Sequence, residues 1–236
     1  MANLHLASVF RVGLYAALAL GVGATSTAGC GGSSDATVGS PSCTGDCTCT
    51  GTTCTCKTGG NCTFGPAGGI GDGGLDGGSS STAPPPNNVT YNCDSKDTCN
   101  ATCGTGCTTT CAGQSTCAGT CSSNCTSTCD GTSQCTLTTG TNSNVTCGGG
   151  SHCTVTIDTG STLTCSGNSS CTIVCPQGGC TAECGGSAGC SVQCGGTTAC
   201  KIACNGTKSQ ECAAGSTCES ACGSGGPGPG DDAGRH

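Results

Sequence analysis

Cysteine dominates the chemistry open to this chain, supplying 31 of its 236 residues. A thiolate can be crosslinked, can take a soft metal, or can be acylated, and spacing decides between these fates. From Cys93 onward the cysteines recur every eighteen residues. Cys93, Cys111, Cys129, Cys147 and Cys165 form one series, and Cys99, Cys117, Cys135, Cys153 and Cys171 form another. The pieces between them, such as CTLTT, SNVTC, CTVTI, STLTC and CTIVC over 135–175, carry Cys or a substitute at both ends and an apolar residue in the middle. That alternation is the period of a half-buried strand. A repeat near twenty residues, too short to bury a core alone, marks a stacked solenoid. Fourteen such strands run from 99–103 to 218–222, joined alternately by three- and five-residue loops. Two strands per coil predict an all-β, two-sheet β-solenoid of about 18-residue coils over 93–222. The rhythm slips once, where five residues instead of three join Cys194 to Cys200.

The substitutions indicate how the cysteines pair. Thr139 and Ser143 flank one short loop, Ile157 and Ser161 another, and in both cases the two cysteines are replaced together. Bonding across the same loop explains this. The rule gives Cys93–Cys99, Cys111–Cys117, Cys129–Cys135, Cys147–Cys153, Cys165–Cys171, Cys184–Cys190, Cys194–Cys200 and Cys212–Cys218 over five-residue loops. It gives Cys103–Cys107, Cys121–Cys125 and Cys175–Cys180 over the shorter ones, with Cys204 and Cys222 left for each other. Bonds between stacked coils are the alternative that spacing leaves open. The central residues Leu137, Val145, Val155, Leu163, Ile173, Val192 and Ile202 are expected to point inward as a thin core. The five-residue loops nearly all place Gly second and Ser or Thr fourth.

Composition excludes several functions. There is no Trp, and Phe64 and Tyr91 are the only aromatic residues beyond the first thirty, so crosslinks must do what an ordinary core does elsewhere. Cysteine at this density belongs in an oxidising compartment. A net charge of −7 with six Lys and Arg leaves no footprint for nucleic acid. His152 stands beside Ser151, with Asp158 as the nearest carboxylate in sequence. Adjacency is no evidence for a catalytic triad, and a solvated loop histidine is the simpler expectation. Paired carboxylates and phosphate loops are missing, so the sequence predicts a protein that is not an enzyme and has no cofactor.

The amino-terminal stretch addresses the chain. Val12–Gly23 is a twelve-residue apolar run, too short to span a bilayer, and reads as the core of a signal peptide over 1–29. Thr27-Ala28-Gly29-Cys30 after it resembles the lipobox of bacterial lipoproteins. The resemblance implies that Cys30 is acylated and becomes the mature N-terminus, and that the partner is a membrane, placing the chain in the bacterial cell envelope at the outer membrane or cell surface. Removing Cys30 also leaves an even number of cysteines. Ordinary cleavage after Ala28 is the alternative.

Residues 30–42 read as a tether and 43–64 as a small Cys-rich knot. Cys43, Cys47, Cys49, Cys54, Cys56 and Cys62 fall within twenty residues there, and their Cys-x-Cys pairs resemble metallothionein, which implies a site for Zn or Cu(I). Three disulfides are the reading that an oxidising compartment favours. The Gly-, Ser- and Pro-rich stretch 65–92 reads as a flexible spacer holding the next domain about 30 Å away, with Asp72 and Asp76 as solvated residues. Residues 223–236 read as a disordered tail.

The expected role is structural, or adhesion and display at the surface, with the ligand open. One alternative is metal binding by 43–62; the other concerns the outward threonines. Thr108/Thr110, Thr126/Thr128 and Thr162/Thr164 fall on one sheet, interrupted by Asn144/Thr146, while Thr136/Thr138 and Thr154/Thr156 fall on the other. This array resembles the ice-binding face of insect antifreeze β-solenoids and implies ice binding. The β-propensity of threonine accounts for it without any ligand.

Overall fold

In a computed structural model of the chain, residues 41–66, 84–205 and 208–221 are described. The leader, Cys30, the tether as far as residue 40, Asp72, Asp76, Cys222 and the tail lie outside the described residues, while Pro41 and Ser42, read as the end of the tether, belong to a strand. The strands are β1 (Pro41–Gly45), β2 (Cys47–Thr50), β3 (Thr53–Cys56), β4 (Asn61–Pro66), β5 (Thr90–Cys93), β6 (Thr98–Thr105), β7 (Thr108–Cys111), β8 (Thr116–Ser123), β9 (Thr126–Cys129) and β10 (Gln134–Thr139). They continue as β11 (Asn144–Cys147), β12 (His152–Ile157), β13 (Thr162–Cys165), β14 (Ser170–Cys175), β15 (Thr181–Cys184), β16 (Gly189–Cys194), β17 (Cys200–Cys204), β18 (Lys208–Cys212) and β19 (Ser216–Ala221).

From β5 to β17 odd strands stack in one sheet and even strands in the other, every neighbouring pair parallel. Each strand pairs with the one eighteen or so residues on, so Cys135 lies between Cys117 and Cys153. This is the two-sheet solenoid that the period predicts. The central residues Leu137, Val145, Val155, Leu163, Ile173, Val192 and Ile202 are all buried between the sheets.

The five-residue loops stack as tightly as the strands. Gly131 has φ +73°, and a Cβ built on it would stand 2.5 Å from the Gly113 carbonyl oxygen below. Gly149 meets Gly131 in the same way, at 2.7 Å. A left-handed turn pressed against its copy leaves room for glycine alone. The fourth loop residue, Ser115, Ser133, Ser151 or Ser169, turns inward and is buried.

Both ends depart from the sequence reading. The segment 43–64 is not a separate knot. β3 pairs in parallel with β5 and β4 with β6, so it forms the first coil of the same stack. The stretch 65–92 does not hold it apart as a spacer, because Gly65 and Pro66 end β4, and Thr90 to Asn92 belong to β5. Phe64 and Tyr91 explain the docking: their rings stack 4.9 Å apart, both buried between the sheets. The Tyr91 hydroxyl donates to the Thr102 carbonyl at 3.3 Å, and burial pushes its pKa up to about 12. Buried Asp97 adds a polar clasp, accepting from the Gly59 amide at 2.5 Å and the Asp94 amide at 2.9 Å.

β1 and β2 then fold back antiparallel on β4 and β3. At the far end β18 and β19 lie antiparallel to β17 and β16, rather than continuing as a seventh parallel coil. The turn chemistry gives the reason. Three residues, 205–207, join Cys204 to its antiparallel partner Lys208; Asn205 opens this connection at φ +49°, and Asn-Gly is a hairpin signal in sequence. Each sheet therefore ends in a reversed strand at both edges.

Candidate functional site

Two arrays repeat along the stack, one of sulfur and one of threonine. All eleven loop-closing disulfides expected over 93–218 are present. Cys204 is disulfide-bonded as well, while its expected partner Cys222 lies outside the described residues. The six cysteines of the first coil pair as Cys43–Cys47, Cys49–Cys54 and Cys56–Cys62, which is the crosslinked arrangement rather than a thiolate cluster.

Parallel register brings successive disulfides together. The Sγ atoms of Cys93, Cys99 and Cys117 lie within 4.8 Å of one another, and so do those of Cys111, Cys117 and Cys135. Cys129, Cys135 and Cys153 repeat the arrangement, and Cys147, Cys153 and Cys171 complete it. Five cystines thus form one buried stack along the edge of the five-residue loops. On the opposite edge the ladder is broken. At Thr139 and Ser143, and at Ile157 and Ser161, hydrogen bonds stand in for crosslinks: the Cys125 amide donates to Ser143 Oγ at 3.2 Å and the Ser143 amide to Ser161 Oγ at 3.0 Å. Ser161 Oγ in turn donates to the Gly140 carbonyl at 3.0 Å.

The ten-stranded sheet carries the second array on its outward face. In register, one column runs Thr50, Thr53, Thr90, Thr108, Thr126, Asn144 and Thr162. The other runs Thr48, Thr55, Asn92, Thr110, Thr128, Thr146 and Thr164. Seven strands carry no charged residue at these positions. The pattern ends at Thr181/Glu183 and Lys201/Ala203. Strand geometry spaces the two columns about 7 Å apart and successive rows about 4.8 Å apart.

The nine-stranded sheet is different. Asn100, Ala118, Gln134, His152, Ser170 and Val174 interrupt its outward threonines, leaving two shorter runs, Thr102, Thr120, Thr138 and Thr156 in one column and Thr136, Thr154 and Thr172 in another. Sequence reasoning found the threonines from Thr108 onward but missed Thr48, Thr50, Thr53, Thr55 and Thr90, having assigned them to a knot and a spacer. The available signal was the Thr-x-Thr-Cys of 53–56, the same pattern as 108–111, 126–129 and 162–165.

The fold does not bring Ser151 and His152 together. Ser151 is wholly buried with its hydroxyl 3.5 Å from the Cys129 carbonyl, whereas His152 stands on the outer face of β12. Consecutive strand residues point to opposite sides of a sheet. Asp158 is occupied with the Thr159 amide at 2.8 Å. No family model, curated protein or solved structure matches the chain.

Proposed function

We propose that the chain is a non-enzymatic cell-envelope protein, held to a bacterial membrane through acyl chains on Cys30, that presents a stiff, flat, hydroxyl-rich face for structure or adhesion. The two-column threonine lattice on the ten-stranded sheet carries this reading. It runs through seven strands with only Asn92 and Asn144 in place of threonine, while the opposite face mixes threonine with Asn, Ala, Gln, His, Ser and Val, so β-propensity acting equally on both sheets does not account for it. Parallel pairing sets the rows of the lattice, cystines tie its strands to the opposite sheet within each coil, and the number of cystines suits the oxidising side of a membrane. Fractionation of cells expressing the full chain tests the assignment. The native sequence is expected in the membrane fraction and on intact cells, and Cys30→Ala is expected to release it. A Cys30→Ala chain that stays in the membrane and begins at Gly29 would defeat the anchor.

A second reading, ice binding, is favoured by the same lattice, whose spacing suits an ordered layer of water. Ice grown with the purified, oxidised chain separates the two. The scaffold reading expects unshaped crystals. Faceting or thermal hysteresis, lost with Thr126→Lys or Thr162→Lys, would make ice binding the function.

A further inference from the structure

We propose that the cystine stack is a latent site for a thiophilic d10 ion such as Zn(II) or Cu(I), opened when two neighbouring rungs, Cys147–Cys153 and Cys165–Cys171, are reduced. This goes beyond the surface role proposed above and does not depend on it. The donors are already grouped. The sulfurs of Cys147, Cys153 and Cys171 lie within 4.8 Å of one another, and a tetrahedral site with Zn–S bonds near 2.3 Å requires sulfurs about 3.8 Å apart. Cys165, the register partner of Cys147 and the disulfide partner of Cys171, stands outside that group of three and has to turn toward it once its bond is broken to supply a fourth sulfur.

The surroundings suit a bound ion. Two buried hydroxyls stand at the sulfurs: Ser169 Oγ is 3.1 Å from Cys165 Sγ, and Ser151 Oγ is 3.8 Å from Cys153 Sγ. In the crosslinked state Ser169 Oγ donates to the Ser166 carbonyl at 2.6 Å and Ser151 Oγ to the Cys129 carbonyl at 3.5 Å. A thiolate beside either hydroxyl would be the stronger acceptor, giving the outer-shell contact that orients a metal ligand. The scaffold also has a means of outlasting the crosslinks. These coils bury Val145, Val155, Ile157, Leu163 and Ile173, the bulkiest run of apolar residues in the ladder, and two of them already lack a cystine on the opposite edge.

The redox step balances with an external dithiol. Each rung takes two electrons and two protons, its S–S bond breaks, and the dithiol closes to its own disulfide. On metal binding each coordinating thiol then releases one proton to solvent.

The test uses the full chain with Cd(II) as probe. The oxidised protein should take up none. Protein reduced with dithiothreitol, then freed of reductant without oxygen, should bind Cd(II) with thiolate charge-transfer absorption while keeping its sheet circular dichroism. Alkylation mapped by mass spectrometry should show Cys147, Cys153, Cys165 and Cys171 protected by the metal. Ser169→Ala should lower the affinity about tenfold at unchanged stoichiometry. Equal alkylation of those four cysteines with and without Cd(II), or binding that occurs only with loss of the sheet signal, would overturn the proposal.

Discussion

The coils of β6 to β9 and those of β10 to β13 share one backbone plan and hold it together differently. The earlier pair closes both edges with cystines, Cys103–Cys107 and Cys121–Cys125 adding to the stack on the other side. Their inward centres are small: Ala101, Thr109, Gly119 and Ser127. A small cavity lies among them, reaching Thr139, whose Oγ1 is the one buried side-chain oxygen without a hydrogen-bond partner among the described residues. The later pair lacks the second cystine and fills its centre with Leu137, Val145, Val155 and Leu163, with Ile157 in the place of a half-cystine. Crosslink and apolar volume thus substitute for one another coil by coil. Solenoids permit this because each coil meets only its neighbours, so stability is approximately a local sum.

The comparison breaks most visibly under Leu163→Ala. With no second cystine to restrain the coil, the loss is expected at about 2–5 kcal/mol, read from urea unfolding followed by circular dichroism. In the earlier coils Cys103→Ser with Cys107→Ser should cost about 2 kcal/mol, the entropy of one short closed loop. Equal sensitivity of both regions to removal of an apolar side chain would dissolve the distinction.

Restoring the missing rung sharpens it. Thr139→Cys with Ser143→Cys places cysteines where the adjacent coil has Cys121 and Cys125, and also removes the unpartnered Thr139 hydroxyl. Mass spectrometry is expected to find one more disulfide, with a gain of about 1–2 kcal/mol. A free pair of thiols in the folded variant would mean that the coil has settled into a geometry the others do not share.

The smallest expected effect lies where the first coil docks on β5, the one place among the described residues where stacked aromatic rings fill the centre. The phenol of Tyr91 is raised to about 12, so the folded state favours its neutral form. The contribution is complete below the ordinary tyrosine value near 10 and is lost as pH rises from there through 12. Ultraviolet titration should show phenolate appearing late. Tyr91→Phe should remove this pH dependence with little change at neutral pH, since the 3.3 Å hydrogen bond is long. Ionisation at the ordinary value would place the ring outside the stack.

The repeat was legible because its physics is local. The joint replacement of Thr139 with Ser143, and of Ile157 with Ser161, was enough to read the loop-closing pairs. The ends were misread because direction of pairing depends on single turns rather than on the period. Asn205-Gly206 carried a hairpin signal, but KSQEC and CESAC kept the strand rhythm and so read as another coil. At the start, the distance in sequence between Cys62 and Cys93 concealed that Asn61–Phe64 stacks on Thr98–Ala101. The Phe64–Tyr91 contact that joins them spans that whole stretch, and no spacing rule reaches across it. The threonine lattice was half-visible for the same reason.

The exchange of crosslink for core is tested most directly by amide hydrogen exchange on the full chain, resolved by peptide, before and after complete reduction. In the oxidised protein both regions should be protected. After reduction, the account predicts that 98–129 loses protection first and furthest, while 134–175 retains more of it. Uniform loss along the stack, or earlier loss in 134–175, would contradict it.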